Sequence, residues 1–205
     1  MMNEKKMEDS EKKERLDIMI DLETLGTEAG SIILSVAMKA FRLDGAKPVE
    51  RFCYHQHISV LSSLMEHLRS DFATEEWWAK QSEKARSEIL RGQKSALSVG
   101  GVMRLIYDVL SLYNRQYDLY LWGRGVGSFD LPILDFVMKK VMGEGYKTPW
   151  NYWSAMDVRS VAGFCKCCGL EMEKRPTPHD AMADVEKQIV EVQTCWQYVK
   201  VERAI

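Results

Sequence analysis

An apolar run, Leu16-Asp17-Ile18-Met19-Ile20, leads straight into two acids, Asp21 and Glu23, and a Thr24-Leu25-Gly26 turn signal follows. In a strand, residues two apart point to one face, so both carboxylates aim the same way, their β-carbons about 7 Å apart. Like charges so placed repel unless a cation sits between them. Hard divalent cations accept carboxylate oxygens at about 2.0–2.6 Å, so two such arms can meet on one ion. The plainer alternative is a strand end whose acids reach water.

Two further stretches offer chemistry at a distance. Gly123-Arg124-Gly125-Val126-Gly127-Ser128-Phe129-Asp130-Leu131-Pro132-Ile133-Leu134 follows a short strand expected at Asp118–Trp122. Its glycines permit a sharp turn. Ser128 or Asp130 then opens a helix with Pro132 in its first turn, where a missing N–H costs little. Asp130 thereby sits at a strand-to-helix junction, where an acid can equally serve only the helix dipole. No Gly-Lys-Ser/Thr ending follows, which argues against a phosphate-cradling loop. Near the end, Pro176-Thr177-Pro178-His179-Asp180-Ala181-Met182-Ala183-Asp184 enters a last helix running to about Lys200. In regular helix His179 and Asp184 would lie about 140° apart. The prolines instead make His179 a loop or first-turn residue, free to swing over the face that Asp184 presents.

The elements that must position these groups follow from periodicity. Ser31–Phe41 reads as a second strand, Leu43-Asp44-Gly45 as a hairpin turn and Glu50–Ile58 as a third strand, giving three antiparallel strands at the start. Ser59–Arg91 reads as helical, with Thr74 as a cap and Gly92 as the end. Trp77 and Trp78 diverge by about 100° on such a helix, so at most one faces a ligand while the other is core. Ser98–Asn114 is an amphipathic helix, and Trp153–Val158 a final edge strand. Cys53, His55 and His57 share a strand face and are borderline zinc ligands, but no fourth ligand follows at finger spacing. Cys165, Cys167 and Cys168 include one Cys-x-x-Cys half-site without a second, and read as reduced thiols.

The bulk numbers bound the rest. With 205 residues, 46% apolar and 28% charged, the chain suits one soluble domain with a real core. A net charge of −2 leaves no broad basic surface, which excludes a lattice-coating nucleic-acid binder. It leaves room for an enzyme gripping one strand end, because bound metal would supply positive charge locally. No apolar run approaches the ~20 residues that span a bilayer, and no signal peptide is expected. Five cysteines without a framework pattern suit the cytoplasm. Residues 1–15 form a charged, disordered arm, and 16–205 the folded domain.

Taken together, Asp-x-Glu-Thr, Gly-x-x-x-Ser-Phe-Asp-x-Pro-Ile-Leu and His-x-Ala-x-x-Asp occur in an order that resembles the DEDDh family of 3′–5′ exonucleases. The wording around Trp77 and Gly123 is particularly similar to phage exonuclease A and mycobacterial-type exoribonucleases. The sister branch carries a tyrosine four residues before the last acid; that position is Asp180 here, which indicates the histidine branch. The resemblance implies an α/β, ribonuclease H-like fold: a mixed five-stranded sheet flanked by helices. It implies a site of Asp21, Glu23, Asp130 and Asp184 holding two Mg²⁺ or Mn²⁺ ions, with His179 as general base. It further implies substrate contacts from Thr24 and Leu25, with Trp77, Trp78, Arg124 and Phe129 as candidates for stacking or phosphate contact. The expected partner is the 3′ end of single-stranded nucleic acid, DNA favoured. The rivals are an exoribonuclease with the same site, a non-catalytic nucleic-acid-binding module on the same fold, and a zinc-binding interaction protein.

Overall fold

The structure, a computed structural model, describes residues 13–172 and 179–202. Three strands open the chain: β1 (Arg15–Thr24), β2 (Ile33–Phe41) and β3 (Cys53–His57). β4 (Asp118–Gly123) and β5 (Ala155–Asp157) complete one sheet in the order β3-β2-β1-β4-β5. The first three pair antiparallel, while β4 runs parallel to β1 and β5 parallel to β4. This is the expected mixed five-stranded sheet. β1 begins at Arg15, within the stretch assigned to the arm; residues 1–12 of that arm lie outside the described residues.

β1 and β2 are buried along nearly their whole length, as central strands covered on both faces must be. Alternation sorts their side chains into two layers. Leu16, Ile18, Ile20 and Leu22 face a core shared with α4 (Val99–Gln116) and α5 (Asp130–Met142). Met19, Ala37 and Phe41 face the other way, against Val185, Ile189 and Val192 of α7 (Ala181–Glu202). Asp21 and Glu23 share the parity of Met19, so they emerge beneath α7. Cross-strand register extends their rows, Asp21 beside Ala37 beside His55, and Glu23 beside Ser35 beside His57.

The long helical stretch after β3 is three helices: α1 (Val60–Met65), α2 (Phe72–Ala79) and α3 (Glu83–Gln93). His67, at φ 55, turns the chain after α1. The cap of α2 is Asp71, whose Oδ1 accepts the Thr74 amide at 2.7 Å and whose Oδ2 accepts the Thr74 hydroxyl at 2.9 Å. The expected cap residue, Thr74, is therefore the capped one, inside the helix. Gly92, expected to end the region, lies within α3. Its role is steric: a β-carbon there would meet His57 Nδ1 at 2.2 Å, so glycine lets α3 lie against β3. A last short helix, α6 (Val158–Cys167), starts from Asp157 at the end of β5.

Candidate active site

The site gathers where β1 ends. Asp21 and Glu23 reach it from the strand. Asp130 enters from the first residue of α5, on the opposite side of the sheet, and Asp184 from the first turn of α7. Glu23, Asp130 and Asp184 are all buried. His179 stands just before α7 with φ 53, a left-handed backbone rare outside glycine. The prolines expected to hold it there, Pro176 and Pro178, lie outside the described residues. Asp180 accepts the Ala183 amide at 2.9 Å, which caps α7 and leaves His179 clear of the helix. Ligand atoms of Glu23, His179 and Asp184 all lie within 4.8 Å of one another.

Electrostatics tie Asp21 and Asp130 to that cluster. Burial pushes the Asp21 carboxyl well above its usual range, and Asp130, Glu23 and Asp184 each add to the shift. Glu23 is pushed up to about 8, first by burial and then by Asp184, Asp180 and Asp130. Asp130 is pushed up to about 7 by burial, against its own amide and that of Leu22, which favour the ionised form. Burial also raises Asp184, while Lys187 and His179 oppose the rise. Asp21 feels the charges of Asp130, Glu23 and Asp184, and Glu23 those of Asp184 and Asp130, so the four carboxyls lie near one another rather than each reaching water alone. Each offers only acceptor oxygens when ionised. Such a donor set suits a hard divalent cation, and Glu23 and Asp184 could share one with the His179 imidazole close by.

The turn after Glu23 is clamped from several sides. Leu25 N–H donates to Ile32 O at 2.9 Å, and Asp71 N–H to Leu25 O at 2.8 Å. Thr24 Oγ1 donates to Gly26 O at 2.6 Å. Trp78 Nε1 donates to Thr24 O at 2.8 Å. A β-carbon at Gly26 would meet Ser31 Oγ at 2.5 Å and Asp71 Oδ2 at 3.0 Å, so the turn closes only around glycine. Of the backbone groups expected to contact substrate, Thr24 O, Leu25 N–H and Leu25 O are thus already paired within the protein. Trp78→Phe should cost about 1–3 kcal/mol, the price of an unpaired buried carbonyl, measurable by chemical denaturation. An unchanged midpoint and slope would mean the bond holds nothing.

The aromatic and basic candidates separate clearly. Trp78 is buried and cannot stack on a base, which removes it from the substrate contacts. Trp77 is 41% exposed, and its ring meets the His179 imidazole edge-to-face at 4.7 Å. Arg124 is ion-paired to Glu191 of α7, so its guanidinium is engaged within the protein. Phe129 is half-buried against the larger core. Leu25 is also half-buried, packed against the small cluster of Leu34, Trp78 and Ala85. Among the described residues neither cysteine-rich feature forms a metal cluster. Cys165 and Cys195 are buried together, Cys167 and Cys168 are exposed, and all five cysteines are free thiols.

Two residues at the site escaped the sequence reading. Asp157 accepts the Gly125 amide at 2.7 Å and the Ser160 amide at 2.8 Å, fixing the glycine loop that delivers Asp130. Gln188 donates from Nε2 to Asp21 Oδ1 at 2.8 Å. Its position one turn after Asp184 was the available signal.

Residues 16–196 match the model of the 3′–5′ exoribonuclease Rv2179c-like domain. The chain belongs to that family. This Rv2179c-like domain is also 26% identical over 160 residues to the exodeoxyribonuclease of Enterobacteria phage T4, covering 70% of this chain and 69% of that protein. Among solved structures it is similar to E. coli exonuclease I in complex with a dT13 oligonucleotide. That match has a TM-score of 0.62 at 12% identity, covering 88% of this chain and 40% of that chain. The zinc-bound exonuclease I–ssDNA complex matches with a TM-score of 0.62 at 13% identity, covering 93% and 44%. At such identities the likeness speaks for the fold, and the Rv2179c-like domain spans less than half of those chains. The implied DnaQ-like 3′–5′ exonuclease family and ribonuclease H-like fold are thereby established. No helix among the described residues is long and apolar enough to cross a membrane.

Proposed function

We propose that this domain removes nucleotides one at a time from the 3′ end of a single-stranded nucleic acid, DNA favoured, in the cytoplasm. The observation that carries the reading is the convergence of Asp21, Glu23, Asp130 and Asp184 on one buried pocket with His179 against it. Two Mg²⁺ or Mn²⁺ ions bound there would neutralise the pocket and stabilise the attacking and leaving oxygens of a phosphodiester. Asp21, which faces the other three acids, would be shared between the ions; Glu23 and Asp184 would hold one of them and Asp130 the other. His179 takes the proton from the attacking water, a role suited to an imidazole outside the helix and steadied by Trp77. Trp77, exposed at the rim, remains the aromatic candidate for stacking on the terminal base.

An RNA substrate is the second reading, favoured by the exoribonuclease description of the matching family, whereas the phage T4 relative is an exodeoxyribonuclease. The polymers differ at the 2′-hydroxyl, so matched 5′-labelled DNA and RNA strands separate the two readings. The expected result is stepwise shortening from the 3′ end with magnesium or manganese, arrested by a chelator. His179→Asn should lower turnover by roughly 10²–10⁴-fold, the scale of a lost general base. Pure protein inert towards both polymers would end the proposal.

A further inference from the structure

Gln188 does something that the pocket of acids needs and that no carboxylate can do. It is only 4% exposed, and Val185, Ile189 and Val192 pack α7 onto the sheet around it, so its direction is set by the core. Nε2 donates to Asp21 Oδ1 at 2.8 Å, and among the described residues no other protein donor reaches that carboxylate. With Asp21 ionised, as a metal ligand must be, the opposite amide orientation would set two acceptors face to face. Gln188 Oε1 is buried too and has no partner. Burying an unmet acceptor costs about 1–3 kcal/mol.

We propose that Gln188 is the positioning residue of this site. Its amide N–H fixes the rotation of Asp21, leaving one Asp21 oxygen free of protein donors, and its Oε1 awaits a water carried in with a bound divalent cation. The inference rests on the metal-dependent reading above and adds the residue that sets the geometry of its shared acid. Asp184 and Gln188, four residues apart, form one unit on α7: the first offers a ligand, the second orients a ligand on β1. Outer partners of metal ligands typically matter 10–100-fold in affinity or activity.

The test uses Gln188→Met, close in shape and without polar atoms, beside Gln188→Ala and Asp21→Asn. Each metal-free protein is titrated with manganese, and binding is read from thermal melting, with no turnover involved. Steady-state hydrolysis of a labelled oligonucleotide follows. Gln188→Met should weaken manganese binding about 10-fold and lower kcat about 10–100-fold, with KM for the oligonucleotide nearly unchanged. A packing role would shift the metal-free melting point and leave that kcat-against-KM split unmoved. Wild-type manganese binding and kcat in Gln188→Met, with both lost in Asp21→Asn, overturn the proposal for Gln188 and leave the site standing. Unchanged behaviour in Asp21→Asn would sink the site itself. Failure of both Gln188 variants to fold would mark a core residue and also overturn the proposal.

Discussion

Asp21→Asn should lower exonuclease turnover by roughly 10³-fold or more, the scale expected when one member of a cooperating catalytic unit is removed. The same substitution should raise the melting point of the metal-free protein. Burial opposes the charge of Asp21, and Asp130, Glu23 and Asp184 add to that cost. An asparagine has the same shape, keeps an acceptor for Gln188 Nε2 and removes a carboxyl whose ionisation burial and its neighbours oppose. In a chain of this size each kcal/mol recovered raises the melting point by about 2–4 °C. Opposite movement of activity and stability separates a chemical role from a structural one, since a misfolded variant loses both. Retained turnover in a correctly folded Asp21→Asn protein would refute the assignment of the site.

The second large effect is a linkage between protons and metal. Glu23 is pushed up to about 8 from an ordinary 4.5, and Asp130 up to about 7 from 3.8. The native state therefore holds protons that the unfolded chain has already released. With that sign, these groups favour folding most below about pH 4, and the contribution drains away as pH climbs through 7 and 8. Metal-free protein should accordingly melt lower at about pH 8 than at about pH 5.5. A divalent cation binds the ionised carboxylates, so its stabilisation should grow across the same window. At 100 times its dissociation constant a ligand adds about 2.7 kcal/mol. Paired melts with chelator and with saturating magnesium, taken at several pH values, give the difference directly, and titrations elsewhere in the protein cancel. A gap that does not widen with pH would show that the carboxyls are not the metal's ligands.

What the sequence disclosed was whatever a short period encodes. The alternation of β1 placed Asp21 and Glu23 on one face, and the glycine loop before Pro132 placed Asp130 at a junction; both readings needed only neighbours along the chain. Long-range side-chain partnerships were invisible. Gly92 resembles a helix stop until His57, from β3, is seen to fill the space a methyl group would need. Thr74 resembles a cap until Asp71 is found accepting both of its donors. Gln188 is an unremarkable polar residue on a helix until the partner on β1 is placed 2.8 Å away. Each miss involves a polar or missing atom whose meaning is set by a residue far along the chain.

The layering of β1 has one more consequence. Its even-numbered side chains fill the apolar core, and its odd-numbered ones carry the acids. Sliding β1 by a single residue against β2 would drive Asp17, Asp21 and Glu23 into hydrocarbon and turn Ile20 and Leu22 towards the acidic site. Misaligned pairing is thus penalised by the very acids of the candidate site. A variant with partial activity has kept its strand alignment, and the deficit must be sought in the pocket.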